Sequence, residues 1–546
     1  MATLHAITFQ PSGLSARTDG GQSILVLARQ LGLALESTCG GRGTCRSCAI
    51  RLEGEGLPAP SQHDGGFTEQ EMAAGWRRAC KTFPVGDCTV HVPQHSAAGD
   101  LSIGKRAAED MVPIEIPVLV PTVDQYWRRG ATIVGPVTGS TVLGLAVDLG
   151  TTNLAAALVD MTSGQVLRSR SRVNPQTAFG GDIISRLTHA LGGADQYRDL
   201  QSAAIDGIAA LATELTDGDT QRIGEIAVVG NTVMQHLLLG LAVDGLARVP
   251  FTPATKAAVE QPAADFGLAV APGAQLYCAP SVAGFVGGDH VAALIDVLAD
   301  PPAGTWALLD IGTNTEISLH AHGKLTSVSC ASGPAFEGGG ITWGMRAAPG
   351  AIERATLDDE LRLSTIGGRP PIGICGSGAL SLVAALRRSQ IVNARGRLDR
   401  DGPCVRERQG KREFVLSDGL DAAAPPLVFT QTDIRAIQLA KGAIRTGLDV
   451  LLVEAGLATR DLDHILVAGA FGSFIDIDDA ITIGLLPDMP RRRIVQVGNV
   501  AGTGACRLVA CLKARARAAR LATDIHYLEL ASWPDFDTLF ASNCLM

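Results

Sequence analysis

Aromatic side chains are scarce: Phe, Trp and Tyr make up only 4% of the 546 residues. No stretch approaches the ~18 consecutive apolar residues of a membrane-spanning helix. The N-terminus lacks a basic stretch leading into an apolar one, so no export signal is read there and the chain is expected in the cytoplasm. A formal charge of −9 lacks the basic excess of a nucleic-acid or anionic-membrane surface, and neither partner is expected. The motif G-x-x-x-x-G-K-S/T is absent, which excludes a P-loop, and the Gly502/Gly504 pair has no third glycine to complete a dinucleotide fingerprint. In a reducing compartment the twelve cysteines are not expected to form six disulfides, so a tight cysteine cluster points to metal binding or redox work.

Glycine is abundant, at 63 residues, and suits many tight turns and close backbone approaches. Hydrophobic residues at 46% and charged residues at 18% are ordinary for a soluble globular chain, and the length calls for three or four domains.

The stretch CGGRGTCRSC (39–48) packs three cysteines and three glycines into ten residues. Its spacing is C-x5-C-x2-C, and a fourth cysteine, Cys80, follows 32 positions later. Short strands are read at 6–9 and 15–18, a helix at 23–31 from apolar residues at 24, 25, 27, 28 and 31, and further strands at 48–52 and 89–92. That is the order of a β-grasp ferredoxin. The iron of a [2Fe–2S] cluster needs four soft thiolates converging from two sides, and Cys39, Cys45 and Cys48 on one loop with Cys80 from another segment supply them. Gly40, Gly41 and Gly43 let the loop turn its N–H groups toward the sulfurs. The stretch resembles the adrenodoxin-type ferredoxins, with a loop one residue longer than the plant type. A zinc knuckle or a set of inert thiols is the alternative, although zinc sites usually pair C-x2-C with a second such pair or with histidines, and none lies nearby. Cys88 reads as a spare buried thiol.

Beyond residue 140 the chain repeats itself. LAVDLGTTNLAAALVD (145–160) matches ALLDIGTNTEISLHA (307–321), AVVGNTV (227–233) matches LVAGAFG (466–472), and AGFVGGDHVAALIDVL (283–298) matches AGTGACRLVACLKA (501–514). The second copy has the longer gap between its first two pieces, which implies an inserted subdomain. Apolar strand, Asp-x-Gly-Thr, apolar strand is a hairpin whose turn can cradle a phosphate: glycine permits close approach, N–H and Thr hydroxyl groups donate, and the Asp faces Mg²⁺ or its waters. Two such hairpins across a cleft would grip phosphates from both sides. This pattern resembles the ATPase superfamily of acetate and sugar kinases, actin and the heat-shock chaperones.

Joined to the ferredoxin-like part are NPQTAFGGDIISRL (174–187), VVGNTVMQHLLLGL (228–241), ICGSGALSLV (374–383) and VAGAFGSFIDIDDAITIGLLP (467–487). Together they resemble the reductive activators of corrinoid enzymes, over residues 1–93 and about 143–546. The resemblance implies a multidomain α/β and α+β fold, with an N-terminal β-grasp [2Fe–2S] ferredoxin (1–93) followed by a duplicated actin-like, ribonuclease H-like ATPase. Its halves are expected at 143–300 and 301–546, with an insertion at about 325–430; 94–142 is expected as a linker, a shortened middle segment with one or two strands. The resemblance further implies an ATP-dependent transfer of one electron to a Co(II) corrinoid protein or corrinoid-dependent methyltransferase. A cellular electron donor would supply that electron, and a homodimer is allowed.

By the same resemblance Asp148 and Asp310 are the catalytic carboxylates. Gly150, Thr151, Thr152 and Asn153 form the first phosphate hairpin, and Gly312, Thr313 and Asn314 the second. Asp289 holds a magnesium-bound water, and Gly469, Ala470, Phe471 and Gly472 flank the adenosine. The CGSG of 375–378 reads as a strand-to-helix turn, His290 as a surface residue at a helix start, and Cys278, Cys330, Cys375, Cys506 and Cys511 as packing residues. Two other functions stay open: an ATP-gated electron donor to another metalloenzyme, and a small-molecule kinase or clamp with a regulatory cluster.

Overall fold

The structure, a computed structural model, describes residues 4–31, 33, 35, 43, 48–54, 67, 69–93, 111–136, 142–358, 360–408, 410–417 and 426–546. Cys39 and Cys45 lie outside these residues.

The N-terminal sheet has strands β1 (His5–Gln10), β2 (Ser15–Thr18), β3 (Ala49–Glu53), β4 (Trp76–Arg78) and β5 (Cys88–His91), in the order β2-β1-β5-β3-β4. In β1 alternation turns Ile7 and Phe9 inward. Helix α1 (Ile24–Gln30) lays Ile24, Leu25, Leu27 and Ala28 on the same core, as its apolar spacing predicts. The short helix α2 (Glu69–Ala73) and β4 had no counterpart in the sequence reading. The β-grasp order is borne out.

Residues 111–136, expected within a linker, are folded. They form a three-stranded antiparallel sheet of β6 (Val120–Pro121), β7 (Tyr126–Arg129) and β8 (Thr132–Pro136). Val118, Leu119, Trp127 and Val134 are buried in the core of the first ATPase half. Burying these residues is worth about 1.5–3 kcal/mol each for the large aliphatic ones, which is why the segment does not hang free.

The first half runs β9 (Leu143–Leu149), β10 (Asn153–Asp160), β11 (Val166–Val173), α3 (Ile183–Ala190), α4 (Ala194–Leu215), β12 (Ile223–Gly230), α5 (Thr232–Leu239), β13 (Val259–Pro262), β14 (Gln275–Cys278) and α6 (Gly288–Val297). Its sheet order is β11-β10-β9-β12-β14-β13, with β12 parallel to both β9 and β14. Every residue of β12 is buried, as expected for a central parallel strand covered on both faces.

The second half opens with β15 (Trp306–Ile311), β16 (Thr315–Ala321) and β17 (Lys324–Cys330). Then come two small sheets and a helix: β18 (Ala351–Leu357), β19 (Leu361–Thr365), β20 (Gly373–Ile374), α7 (Gly376–Arg388), β21 (Val405–Arg408), β22 (Lys411–Ser417) and β23 (Leu427–Thr430). The half resumes with α8 (Gln431–Glu454), β24 (His464–Ala468), α9 (Gly469–Gly472), α10 (Ile477–Thr482), β25 (Ile494–Gly498), α11 (Val500–Ala510), α12 (Leu512–Asp524), β26 (His526–Tyr527) and α13 (Phe536–Asn543). Five strands of its sheet, whose order is β25-β24-β15-β16-β17-β26, repeat the order β14-β12-β9-β10-β11 of the first half, while the sixth strand, β26, sits at the edge opposite to that of β13. The duplicated ATPase fold is therefore borne out.

One exchange was not legible from the repeat. Helices α11 and α12 lie in sequence between β25 and β26 of the second sheet, yet Val500, Ala505, Leu508, Val509 and Ala518 are buried in the first-half core. A side chain at Gly504 would strike the Ala292 backbone of α6, so the two repeat-related helices cross in close contact, and Arg507 pairs with Asp296 at 2.7 Å. No helix among the described residues is long and apolar enough to cross a membrane.

Candidate functional site

The two Asp-x-Gly-Thr turns stand opposite each other. Asp148 is near the end of β9 and Asp310 near the end of β15, each on the central strand of its sheet. A Cβ at Gly150 would lie 2.8 Å from the Asn153 carbonyl oxygen, and one at Gly312 would lie 3.1 Å from that of Asn314, so both turns are drawn tight by glycine. The hydroxyls of Thr152 and Thr313 meet across the cleft at 3.1 Å.

The first hairpin is held from behind. Asn174 donates to the Gly150 carbonyl at 2.7 Å, the buried Arg186 donates to the Thr151 carbonyl, and Asn231 donates to the Thr151 hydroxyl at 3.0 Å. Because Asn231 uses the acceptor side of that hydroxyl, the Thr151 proton is left for a ligand. The Asn153 side-chain oxygen is buried without a partner on the same turn.

Four carboxylates crowd the cleft floor. Asp148, Asp289 and Asp310 each keep a narrow opening to solvent but are packed round by protein. Burial, then Asp310, pushes Asp148 up to about 7, and burial pushes Asp310 to about 6. Asp289, at the start of α6, is also raised by burial and then by Asp148 and Asp310, and Glu316 by burial and then by Asp289 and Asp310. A cation would relieve this repulsion. Among the described residues no group of three or more His, Cys, Asp or Glu side chains is placed to hold a metal ion directly.

His290 departs from expectation. It does lie at a helix start, but it is fully buried, not on the surface, and its Nε2 meets the Ser318 hydroxyl on β16 at 2.6 Å. Burial pushes the imidazole down to about 3, so it serves as a neutral bridge from the first half to the second sheet.

The second hairpin is held by the turn that follows β17. Ser332 lies 3.2 Å from the Gly312 carbonyl, and the Gly333 N–H donates to the Thr313 carbonyl at 2.9 Å. This turn carries Glu337, whose Oε2 accepts from both Thr152 and Thr313 at 2.7 Å. Glu337 was missed in the sequence. Its only signal there is a lone acid within ASGPAFEGGG, among glycines and small residues.

On the expected adenosine side, Gly469 has φ +89° and sits against the Ile311 carbonyl, where a Cβ would also come within 3.0 Å of Asp310. A side chain there is excluded both by conformation and by space. Phe471 follows in the same short helix. It is buried and stacks on Phe336 with ring centroids 4.5 Å apart, tying the Gly469 turn to the Glu337 turn. Gly472 packs against Val467, and its carbonyl accepts from Gln496 at 2.7 Å. Ala470 belongs to the same short helix.

In the N-terminal domain Cys48 and Cys80 are both buried, and the Ala79 N–H donates to the Cys48 carbonyl at 2.9 Å, bringing their segments together. A Cβ at Gly43 would lie 2.9 Å from the Lys81 side chain, so Gly43 comes against the Cys80 segment. The approach of the Cys48 and Cys80 segments fits thiolates arriving from two sides. Cys88, on β5, lies in the core, and burial followed by Asp87 pushes its thiol up to about 11, which suits packing better than ligation. Cys278, Cys330, Cys375, Cys506 and Cys511 are all buried, as expected of packing residues.

Residues 7–85 match the family model of the 2Fe-2S iron-sulfur cluster binding domain. Residues 143–298 match the RACo middle region, and 305–546 the C-terminal domain of RACo, the ASKHA domain. The chain is 30% identical to the corrinoid activation enzyme RamQ of Eubacterium limosum, over 98% of this chain and 99% of that one. It is 26% identical to the [Co(II) methylated amine-specific corrinoid protein] reductase of Methanosarcina barkeri, over 65% of this chain and 68% of that one. Among solved structures, a reductive activator for corrinoid, iron–sulfur protein superposes with a TM-score of 0.71 at 30% identity, covering 99% of this chain and 98% of the other.

Proposed function

The chain belongs to the family of reductive activators of corrinoid proteins, and on that premise we propose that it uses ATP to pass one electron to an inactive Co(II) corrinoid protein, restoring Co(I). The observation that carries this reading is the presence, in one chain, of a ferredoxin domain and a duplicated cleft whose two phosphate turns touch through Thr152 and Thr313. When bound by Cys39, Cys45, Cys48 and Cys80, a [2Fe–2S] cluster supplies one-electron transfer at low potential. A cellular reductant is the proposed source of the electron.

Energy is the reason for ATP. Plant-type clusters sit at about −400 mV, and Co(II) that keeps an axial ligand is harder to reduce than that. For one electron each ~59 mV of shortfall is a factor of ten, about 1.4 kcal/mol. A ligand that favours one of two states by about 5.5 kcal/mol can swing the equilibrium almost completely. Closure of the cleft on nucleotide is the proposed source of that bias, through a grip on the corrinoid protein.

In this reading Gly150, Thr151 and Thr152 donate to the phosphates from one side, with Asn153 beside them, and Gly312, Thr313 and Asn314 from the other. Asp148, Asp289 and Asp310 hold the water shell of Mg²⁺. The backbone of Gly469–Gly472 borders the adenosine, with Phe471 bracing it from within. The crossing of α6 and α11 beneath the turns is the proposed hinge.

The test mixes reduced protein, MgATP and a Co(II) corrinoid protein and follows the visible spectrum. Co(I) bands that grow only with ATP support the reading. ATP consumption with a phosphorylated metabolite and unchanged cobalt would replace it with a kinase.

A further inference from the structure

The functional reading leaves Glu337 without a task. Glu337 reaches both phosphate hairpins at once, through a single oxygen 2.7 Å from the Thr152 hydroxyl and 2.7 Å from that of Thr313. An oxygen at that point stands where the two hairpins would hold an oxygen of a terminal phosphate. The backbone that carries it is not free to leave. Ser332 and Gly333 bond it to the second hairpin, and Phe336, one residue before it, is stacked on Phe471. The turn is bounded by glycines in the left-handed region, Gly333 at φ +76° and Gly338 at +80°. When a phosphate takes the two hydroxyls, only the Glu337 side chain has to yield, by roughly the width of one water.

The geometry points to Glu337 as the general base of ATP hydrolysis, holding the attacking water against the terminal phosphate. This rests on the ATP-driven function proposed above. In the step, the water oxygen bonds to the γ-phosphorus and the bond from that phosphorus to the β,γ-bridging oxygen breaks. ADP leaves with the electron pair, the water proton passes to Glu337, and the released phosphate later takes it up. None of Asp148, Asp289 and Asp310 has a hydrogen bond to either threonine hydroxyl in the structure, whereas Glu337 has both. Before nucleotide arrives, the same carboxylate occupies the two donors and keeps the empty turns in register.

The experiment uses the full-length, cluster-loaded protein with MgATP and a Co(II) corrinoid protein, and measures phosphate release. Glu337→Gln should lower kcat by about 10²- to 10³-fold while KM for ATP stays within threefold. Glu337→Asp, which keeps a carboxylate on a shorter arm, should recover at least tenfold over the Gln variant. Unchanged thermal unfolding and unchanged cluster absorption exclude a folding defect. Hydrolysis by Glu337→Gln within threefold of the wild type, or a rise in KM with kcat unchanged, overturns the assignment. A wild type that hydrolyses ATP but never reduces cobalt sinks the corrinoid reading while leaving Glu337 as the base; a wild type that hydrolyses no ATP sinks both.

Discussion

The two ATPase halves share a strand order and an Asp-x-Gly-Thr turn, but differ in what stands behind that turn. In the first half the support is internal: Arg186, Asn174 and Asn231 all bond to the hairpin from their own half. In the second half the support comes from the segment inserted after β17, through Ser332, Gly333 and Glu337. The strand after each crossover differs as well. After β12, Asn231 caps an ordinary eight-residue helix, with its side chain accepting from the Met234 N–H. After β24 the chain turns through Gly469 into a helix of only four residues. The duplication kept the phosphate grip twice, but left an open turn beside the grip only once.

Removing a carboxylate from either half should have the largest effect. Asp148→Asn and Asp310→Asn should each reduce ATP-dependent cobalt reduction by about 10²-fold or more, with cluster absorption unchanged. If only one variant loses activity, the two-sided grip is wrong.

The next effect distinguishes the two cores by their buried cations. Arg515 in the first core pairs with Glu225 at 2.7 Å and Glu260 at 3.2 Å, and its guanidinium lies 4.2 Å from the Tyr277 ring centroid. Arg515→Met leaves the buried Glu225 with Arg129 alone, and denaturant unfolding should show a loss of about 3 kcal/mol.

A smaller effect follows at the open turn. Gly469→Ala forces a Cβ into a left-handed residue against Ile311, and KM for ATP should rise about tenfold, equivalent to the ~1–3 kcal/mol of such strain. Asn231→Ala, at the matching place in the first half, removes a helix cap as well as the bond to Thr151, and denaturant unfolding should show a loss of about 1 kcal/mol that Gly469→Ala does not reproduce through the same cap.

The smallest effect has the opposite sign. Lys441 in the second core donates to the Leu545 carbonyl, and burial pushes its amine down to about 8 from 10.5. The folded chain prefers the neutral amine, so stability present above about 10.5 is lost as pH falls toward 8. Lys441→Met should therefore stabilise the protein by about 1 kcal/mol at pH 7, and the gain should shrink as pH approaches 10 in parallel urea titrations.

Much of this comparison could be read in the sequence, because the features that declare themselves are short and local. Cysteine spacing is set by ligation, and Asp-x-Gly-Thr between apolar runs is set by a turn that must approach a ligand. Buried central strands such as β9 and β12 read as plain apolar runs. What stayed hidden depends on packing between distant segments. The apolar stripe of α11 does not say which sheet it will cover, and it covers the other one. Nothing in the local sequence of Phe471 tells that its ring stacks on Phe336, more than a hundred residues earlier. His290 looks like a surface residue until Ser318 approaches from the other half. Glu337 carries no motif at all, since its position depends on two threonines 185 and 24 residues away.

The most direct test freezes the reaction and counts unpaired electrons. Fully reduced protein is mixed with Co(II) corrinoid protein, with and without MgATP, and the cluster and cobalt signals are followed by electron paramagnetic resonance. The account predicts that both signals fall together, one for one, only when ATP is present, and that Asp148→Asn abolishes the fall. Loss of the cobalt signal at the same rate without nucleotide, or with the cluster signal intact, would contradict it.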